Sequence, residues 1–227
     1  MTESISRSIT SNQKGPHDKL YETVTKHLET TSQKPIQDHT LEAFNDVTEW
    51  LADWDGPIVL DSCCGVGEST ASLASRHQEA KVVGLDKSAV RINKHEQNYH
   101  LGTENHSVIR ADVIDFWRLV VDNNWPVSHH YLLYPNPYPK SAHLKRRWHG
   151  SAAFADLIKI GGRLEVRSNW QTYIEEFSLA LKYAGLESRW EQLNVTQPMT
   201  PFERKYTASG QNCWSVKADL NSEVRAS

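Results

Sequence analysis

Apolar positions recur along this chain with two periods, and their alternation predicts the architecture. Short apolar-rich runs read as strands: Ile58-Val59-Leu60, Lys81-Val82-Val83-Gly84-Leu85, His106-Ser107-Val108-Ile109-Arg110, His130-Tyr131-Leu132-Leu133-Tyr134 and Arg163-Leu164-Glu165-Val166-Arg167. Between them lie segments with helical spacing: Ser69 to His77, Ser88 to Tyr99, Val113 to Val121, Ala152 to Ile160 and Thr172 to Ala184. Upstream, a short helix is expected over Asp18 to Leu28 and a stronger one over Asp38 to Trp50. In the latter, Leu41, Phe44, Val47, Trp50 and Leu51 make one apolar face, Asp38 or Thr40 is the expected cap, and Asp55-Gly56-Pro57 is the stop. Two late strands are expected near Glu187 to Leu193 and Cys213 to Ala218, with Thr196 to Arg204 as a proline-ordered loop between them. Strands alternating with helices predict an α/β, Rossmann-like fold. It has a mostly parallel twisted sheet, helices on both faces and one antiparallel late strand.

Composition adds little to this picture except limits. A chain of 227 residues with 38% hydrophobic and 23% charged residues fits one globular domain. The domain is expected over residues 18–220, after a flexible, mildly basic arm (1–17, with Arg7, Lys14 and His17) and before a short tail (221–227). No run approaches the roughly 18 apolar residues of a membrane span, and the polar start is not a signal peptide, so the expected compartment is the cytoplasm. Cys63, Cys64 and Cys213 lack metal-ligand spacing and are odd in number, so they read as small packing residues and no metal is expected. With a net charge of −3, nucleic-acid binding would need a local patch.

Candidate chemistry collects at the predicted strand ends. After the first strand comes Asp61-Ser62-Cys63-Cys64-Gly65-Val66-Gly67-Glu68-Ser69-Thr70, a small-residue turn opening a helix, with Thr70 where a dinucleotide loop needs its third glycine. Asp61 would repel phosphates. It suits S-adenosylmethionine, whose ammonium can face the carboxylate while its own carboxylate sits on N–H groups near Gly67. The second strand ends in Asp86, placed to grip ribose hydroxyls or to cap the following helix, although Ser88 can do the latter. The third ends in Ala111-Asp112, where the carboxylate can accept from an adenine amino group, cap a helix, or both. The fourth runs into Pro135-Asn136-Pro137-Tyr138-Pro139-Lys140, whose alternating prolines fix φ and hold Asn136 and Tyr138 at the ligand crevice. Asn136 is the catalytic candidate. Lys140, Lys145, Arg146 and Arg147, with His143, Trp148 and His149 interleaved, form a cationic cluster suited to phosphates or, more simply, to a solvated basic face.

These residues, in this order, resemble the tRNA (guanine-N7)-methyltransferases from about Arg7 to Val216. The resemblance is carried by Asp61 to Gly67, Asp86, Ala111-Asp112, Pro135 to Arg147, Asn169-Trp170 with Tyr173, and Thr200-Pro201-Phe202-Glu203. It implies a class I methyltransferase sheet with S-adenosylmethionine held by Asp61, Gly65, Gly67, Asp86, Asp112 and Asn136. It also implies tRNA contacts at His143, Lys145, Arg146 and Arg147, and substrate contacts at Lys140, Asn169, Thr200, Phe202 and Glu203. The chain departs from the family at four points. Asn136 and Asn169 stand where the family has aspartates, Cys63 replaces the first loop glycine, and Asp61 replaces a glutamate.

Guanine N7 carries a free lone pair, so its methylation needs alignment and electrostatics rather than a base. Glu203 is expected to accept from guanine N1–H and its amino group. Three other readings follow from the same residues. Asn136-Pro137-Tyr138 partly resembles the N-P-P-Y element of enzymes that methylate amino nitrogens of nucleic-acid bases. A non-catalytic RNA-binding relative is a further option, which the intact aspartate set opposes; a small-molecule methyltransferase would leave the basic cluster unexplained.

Overall fold

The computed structural model describes residues 6–98 and 104–222. The expected end of the fourth helix at Tyr99, the first five residues of the arm and the tail beyond Ser222 lie outside them. Seven strands form one mixed sheet: β1 (Ile58–Ser62), β2 (Lys81–Asp86), β3 (His106–Arg110), β4 (Val127–Leu133), β5 (Arg163–Ser168), β6 (Ser188–Leu193) and β7 (Cys213–Asp219). Their order is β3-β2-β1-β4-β5-β7-β6, and β7 runs antiparallel to both its neighbours. The order reverses between β1 and β4. That is the topological switch point where ligands of open α/β sheets bind, outside the carboxyl ends of the strands. Register brings those ends level, with Asp61 beside Gly84 and Asp86 beside Arg110.

Side-chain alternation divides the core into two layers. Leu60, Val83, Leu85, Leu132, Leu164, Val166 and Val216 face the larger one, packed against α1 (Leu20–Leu28), α2 (Asp38–Trp50), α5 (Val113–Asp122), α6 (Ala153–Ile160) and α7 (Gln171–Tyr183). Their strand neighbours Val59, Val82 and Leu133 face the smaller one, with Leu73 and Ala74 of α3 (Glu68–Arg76), Met199 and Cys213. The helix α4 (Ala89–Asn98) lies against β3 and β2.

Four expectations are corrected. Thr196 to Arg204 is not all loop: Pro201–Ala208 forms α8, with Thr200 as N-cap accepting from Glu203 N at 2.9 Å and Pro201 in the first turn. Leu41 is exposed rather than core, and neither Asp38 nor Thr40 caps α2. Thr40 is turned inward to accept from Asp112 N (3.0 Å), while Asp115 of α5 accepts the Gln37 N–H at the helix start (3.1 Å). Finally, the described part of the arm is pinned along the fold. Ser6 meets Ser209 and Gln211, Ser11 donates to Pro139 O, and Asn12 bonds Ser141 twice. The polar side chains that made it look solvated are the pins.

Candidate active site

At the centre stands Asp61, fully buried at the end of β1. Its Oδ2 accepts from Ser69 (2.6 Å) and Thr70 (2.7 Å) at the start of α3, while its Oδ1 has no partner among the described residues. Burial pushes this carboxyl up to about 6, against the two hydroxyls that favour the anion. A buried carboxylate lacking a counter-charge fits a cationic ligand group. The loop above it fits a ligand too: at Gly65 (φ +64°) a Cβ would meet nothing within 4 Å. Cys63 and Gly67 also have positive φ, and Gly67 is the residue from which α3 starts. Cys63 therefore adopts, as a non-glycine, a backbone that favours glycine. Burial pushes its thiol up to about 12, which leaves it un-ionised.

Gly67 is the more constrained glycine, because a Cβ there would lie 2.3 Å from His95 Nδ1. His95 is buried and its Nδ1 lies 3.3 Å from Val66 O. Gly67→Ala is expected to destabilise the protein by about 2 kcal/mol, combining left-handed strain with displacement of His95. Chemical denaturation measures this, and Gly65→Ala, carrying only the backbone strain, should lose about half as much.

Asp86 serves the loop. Its Oδ2 accepts from Gly65 N (3.1 Å) and lies 3.3 Å from the Arg91 guanidinium, while Oδ1 accepts from Ser88 N (2.8 Å). A carboxylate offers about four acceptor positions, and these three partners leave one of them open among the described residues. Asp112 caps α5 through Oδ1, accepting from Ile114 N and Asp115 N.

On the other side of the switch point, β4 leads into the proline ledge. Tyr134 (φ +54°) and Tyr138 (φ +45°) bracket it in backbone conformations that cost bulky residues roughly 1–3 kcal/mol each. Asn136 is exposed and its Oδ1 accepts from Tyr138 N at 3.2 Å, a local turn that fixes the side chain. Lys140, Lys145 and Arg146 are exposed; Lys145 and Arg146 lie on a 3-10 turn (Ser141–Arg146) with His143 half-buried. His143 and the Arg146 guanidinium both lie about 6 Å from the Tyr138 ring.

Two expected contact residues are instead structural. Arg147, counted with the surface cations, is fully buried: it pairs with Glu176 of α7 (2.5 Å), donates to the carbonyls of Tyr138 and Lys140, and stacks on Trp170. A guanidinium in a basic run goes inside only if it is paired, and Glu176 supplies the charge. Glu203, expected to read the guanine edge, is fully buried too. Its Oε1 accepts from Tyr134 OH (2.6 Å) and Arg167 (2.9 Å), and its Oε2 from Met199 N (2.7 Å), so its carboxylate knits β4, β5 and α8 together. Of the neighbouring candidates, Thr200 is the buried cap just described. Asn169 is half-buried and donates to Gln211 (2.9 Å), and Phe202 presents an exposed ring stacked on Tyr206.

Glu176 was itself legible. It sits with Tyr173, Phe177 and Ala180 on the buried face of α7, and an acid on a core stripe signals a buried partner. Gln13, Tyr134 and Arg167 carried no comparable local signal.

The chain is 25% identical over 185 residues to the tRNA (guanine-N(7)-)-methyltransferase of Albidiferax ferrireducens, covering 71% of each chain. It is 27% identical over 170 residues to the enzyme of the same name from Methylobacillus flagellatus, covering 70% of each. Among solved structures it resembles an antibiotic-related methyltransferase, with a TM-score of 0.56 and 14% identity over 85% of this chain and 96% of that one. It likewise resembles the 16S rRNA (adenine(1408)-N(1))-methyltransferase of Catenulisporales acidiphilia, with a TM-score of 0.56 and 15% identity over 80% and 94%. These likenesses are of fold. The family described as "Putative methyltransferase" matches residues 55–216, from just before β1 into β7, and the chain belongs to it.

Proposed function

We propose that this methyltransferase uses S-adenosylmethionine to methylate N7 of a guanine in tRNA. The reading rests chiefly on Asp61, a buried carboxylate at the switch point of the sheet with one oxygen unpartnered among the described residues, on the strand beside the one that leads into the stiffened ledge and its exposed cations. Bound there, the cofactor would supply an electrophilic methyl group on a sulfonium. Asp61 would hold its ammonium, Gly65 and Gly67 would leave room and N–H groups for its carboxylate, and Asp86 and Asp112 would use their remaining acceptor positions on ribose and adenine. Asn136 would orient the guanine against the methyl group, with Lys140, Asn169, Thr200 and Phe202 bordering the base. The names of the relatives support the same chemistry and substrate. Asn136 Oδ1 already accepts from Tyr138 N, which counts against the amino-nitrogen reading, where that oxygen would face the amine.

The direct experiment is methyl transfer to unmodified tRNA followed by borohydride reduction and aniline cleavage, which breaks the chain at N7-methylguanine. Cleavage at one position is expected; transfer without cleavage would move the reaction to another atom, and no transfer would end the reading. His143, Lys145 and Arg146 would carry the RNA contacts. Removing Lys145 and Arg146 together should weaken tRNA binding about tenfold at physiological salt and lower the slope of log affinity against log salt by about 1.5. A titration at several salt concentrations checks both, and an unchanged slope would take these cations off the RNA path.

A further inference from the structure

We propose that Arg147, Glu176 and Gln13 form a buried hub that positions the proline ledge for methyl transfer. The inference rests on the proposed reaction but stands on separate contacts. Arg147 donates from Nε and Nη2 to the Tyr138 carbonyl (3.3 and 3.1 Å) and from Nη2 to that of Lys140 (3.3 Å). Its Nη1 pairs with Glu176 Oε2, which His149 also meets at 2.9 Å. The other oxygen of Glu176 accepts from Gln13 Nε2 (2.5 Å) and from His17 N (2.9 Å), and Gln13 Oε1 accepts from Arg147 Nη2 (3.1 Å).

A ledge whose residue Tyr138 sits at positive φ needs outside contacts to stay there. Arg147 supplies them from below. From above, Ser11 donates to Pro139 O, and Asn12 accepts from Ser141 N (3.0 Å). Gln13 follows these two in sequence and is the arm residue whose side chain joins the hub, beside the backbone N–H of His17. Each side of its amide has a charged partner, so the arm's seating and the ledge's shape are set by one hydrogen-bonded unit. These are positioning residues: they touch neither base nor cofactor, and act through the backbone of Tyr138 and Lys140.

Gln13 is the residue to vary, since it is half-buried on the arm whereas Arg147 and Glu176 are fully buried. Gln13→Met keeps length and volume but removes the amide's hydrogen bonds to Glu176, to Arg147 and to Gly15 O (2.6 Å); Gln13→Glu sets a second carboxylate against Glu176. Amide hydrogen exchange at Tyr138 and Ser141 should quicken about fivefold in Gln13→Met and more in Gln13→Glu, with the midpoint of global unfolding little changed. In tRNA methylation, kcat should fall by a similar factor while KM for the cofactor stays constant. Wild-type exchange and kcat in both variants would overturn the hub, and so would Gln13→Met behaving like wild type while Gln13→Ala does not, since packing would then be the cause. If the wild-type protein leaves tRNA unmethylated, the proposed reaction fails, and the exchange measurement still decides the hub.

Discussion

Asp61→Asn is expected to stabilise the ligand-free protein while weakening cofactor binding roughly a hundredfold. Both effects come from the same buried oxygen. The carboxyl is held at about 6 against an ordinary value of 3.8, so ionising it inside the protein is opposed by about 3 kcal/mol, an upper limit for what its removal recovers at neutral pH. An asparagine keeps an oxygen for the Ser69 and Thr70 hydroxyls and has no charge to desolvate. The direction with pH follows. Because the folded protein holds this proton more tightly than the unfolded chain, the wild-type protein loses stability from this group as pH rises from about 4 through 6. Above that the loss is complete and the curve flattens. The variant lacks that slope, so its advantage in chemical denaturation should be about 1–3 kcal/mol at pH 7.5 and small at pH 4. Cofactor affinity in the wild-type protein should rise over the same interval, since a cationic group is held by the ionised form. Calorimetry on both proteins at pH 5 and 7.5 reads it. Equal affinity in the two proteins would remove Asp61 as the anchor, and equal stability would mean that its burial costs nothing.

What the sequence disclosed, and what it hid, divides by distance along the chain. Asp61, Asp86 and Asp112 were legible because a strand end, a tight turn and a helix start are all written within about ten residues, and the structure has them at the ends of β1 and β2 and just beyond β3. The ledge was legible for the same reason, since prolines act on their own neighbours. Burial of Arg147 was not: four cations in eight positions look like surface, and the carboxylate that takes one of them inside lies 29 residues later on α7. Glu203 misled in the same way, its three donors coming from the residue after β4, from β5 and from the turn before α8. The α8 helix, by contrast, was missed although its start is local. Thr200, Pro201 and Glu203 are a cap, a first-turn proline and an acid in the helix's opening turn, and the neighbouring prolines masked it. The pinned arm shows the limit most clearly, because a polar segment is solvated or bonded according to partners that only the folded core provides.

Asn136→Asp is the second large effect expected, a rise of roughly tenfold or more in kcat for tRNA methylation. Transfer to N7 leaves positive charge on the guanine, and a carboxylate beside the base stabilises that charge as it forms, where an amide offers only a dipole. The local geometry makes the substitution clean. Asn136 is exposed, and the one bond its side chain makes among the described residues, from Tyr138 N to Oδ1 at 3.2 Å, needs an oxygen that aspartate also has. The ledge should therefore keep its shape and the stability should move by less than about 0.5 kcal/mol. A gain confined to kcat, with KM for the cofactor steady and the product still cleaved by borohydride and aniline, would mean that this chain runs its reaction with reduced electrostatic help. A loss of activity would mean the opposite: the amide N–H₂ is itself used, donating to an acceptor such as guanine O6, and the asparagine is the residue this reaction requires. The two outcomes differ in sign, so a single kinetic comparison separates a weakened enzyme from one adapted to its asparagine.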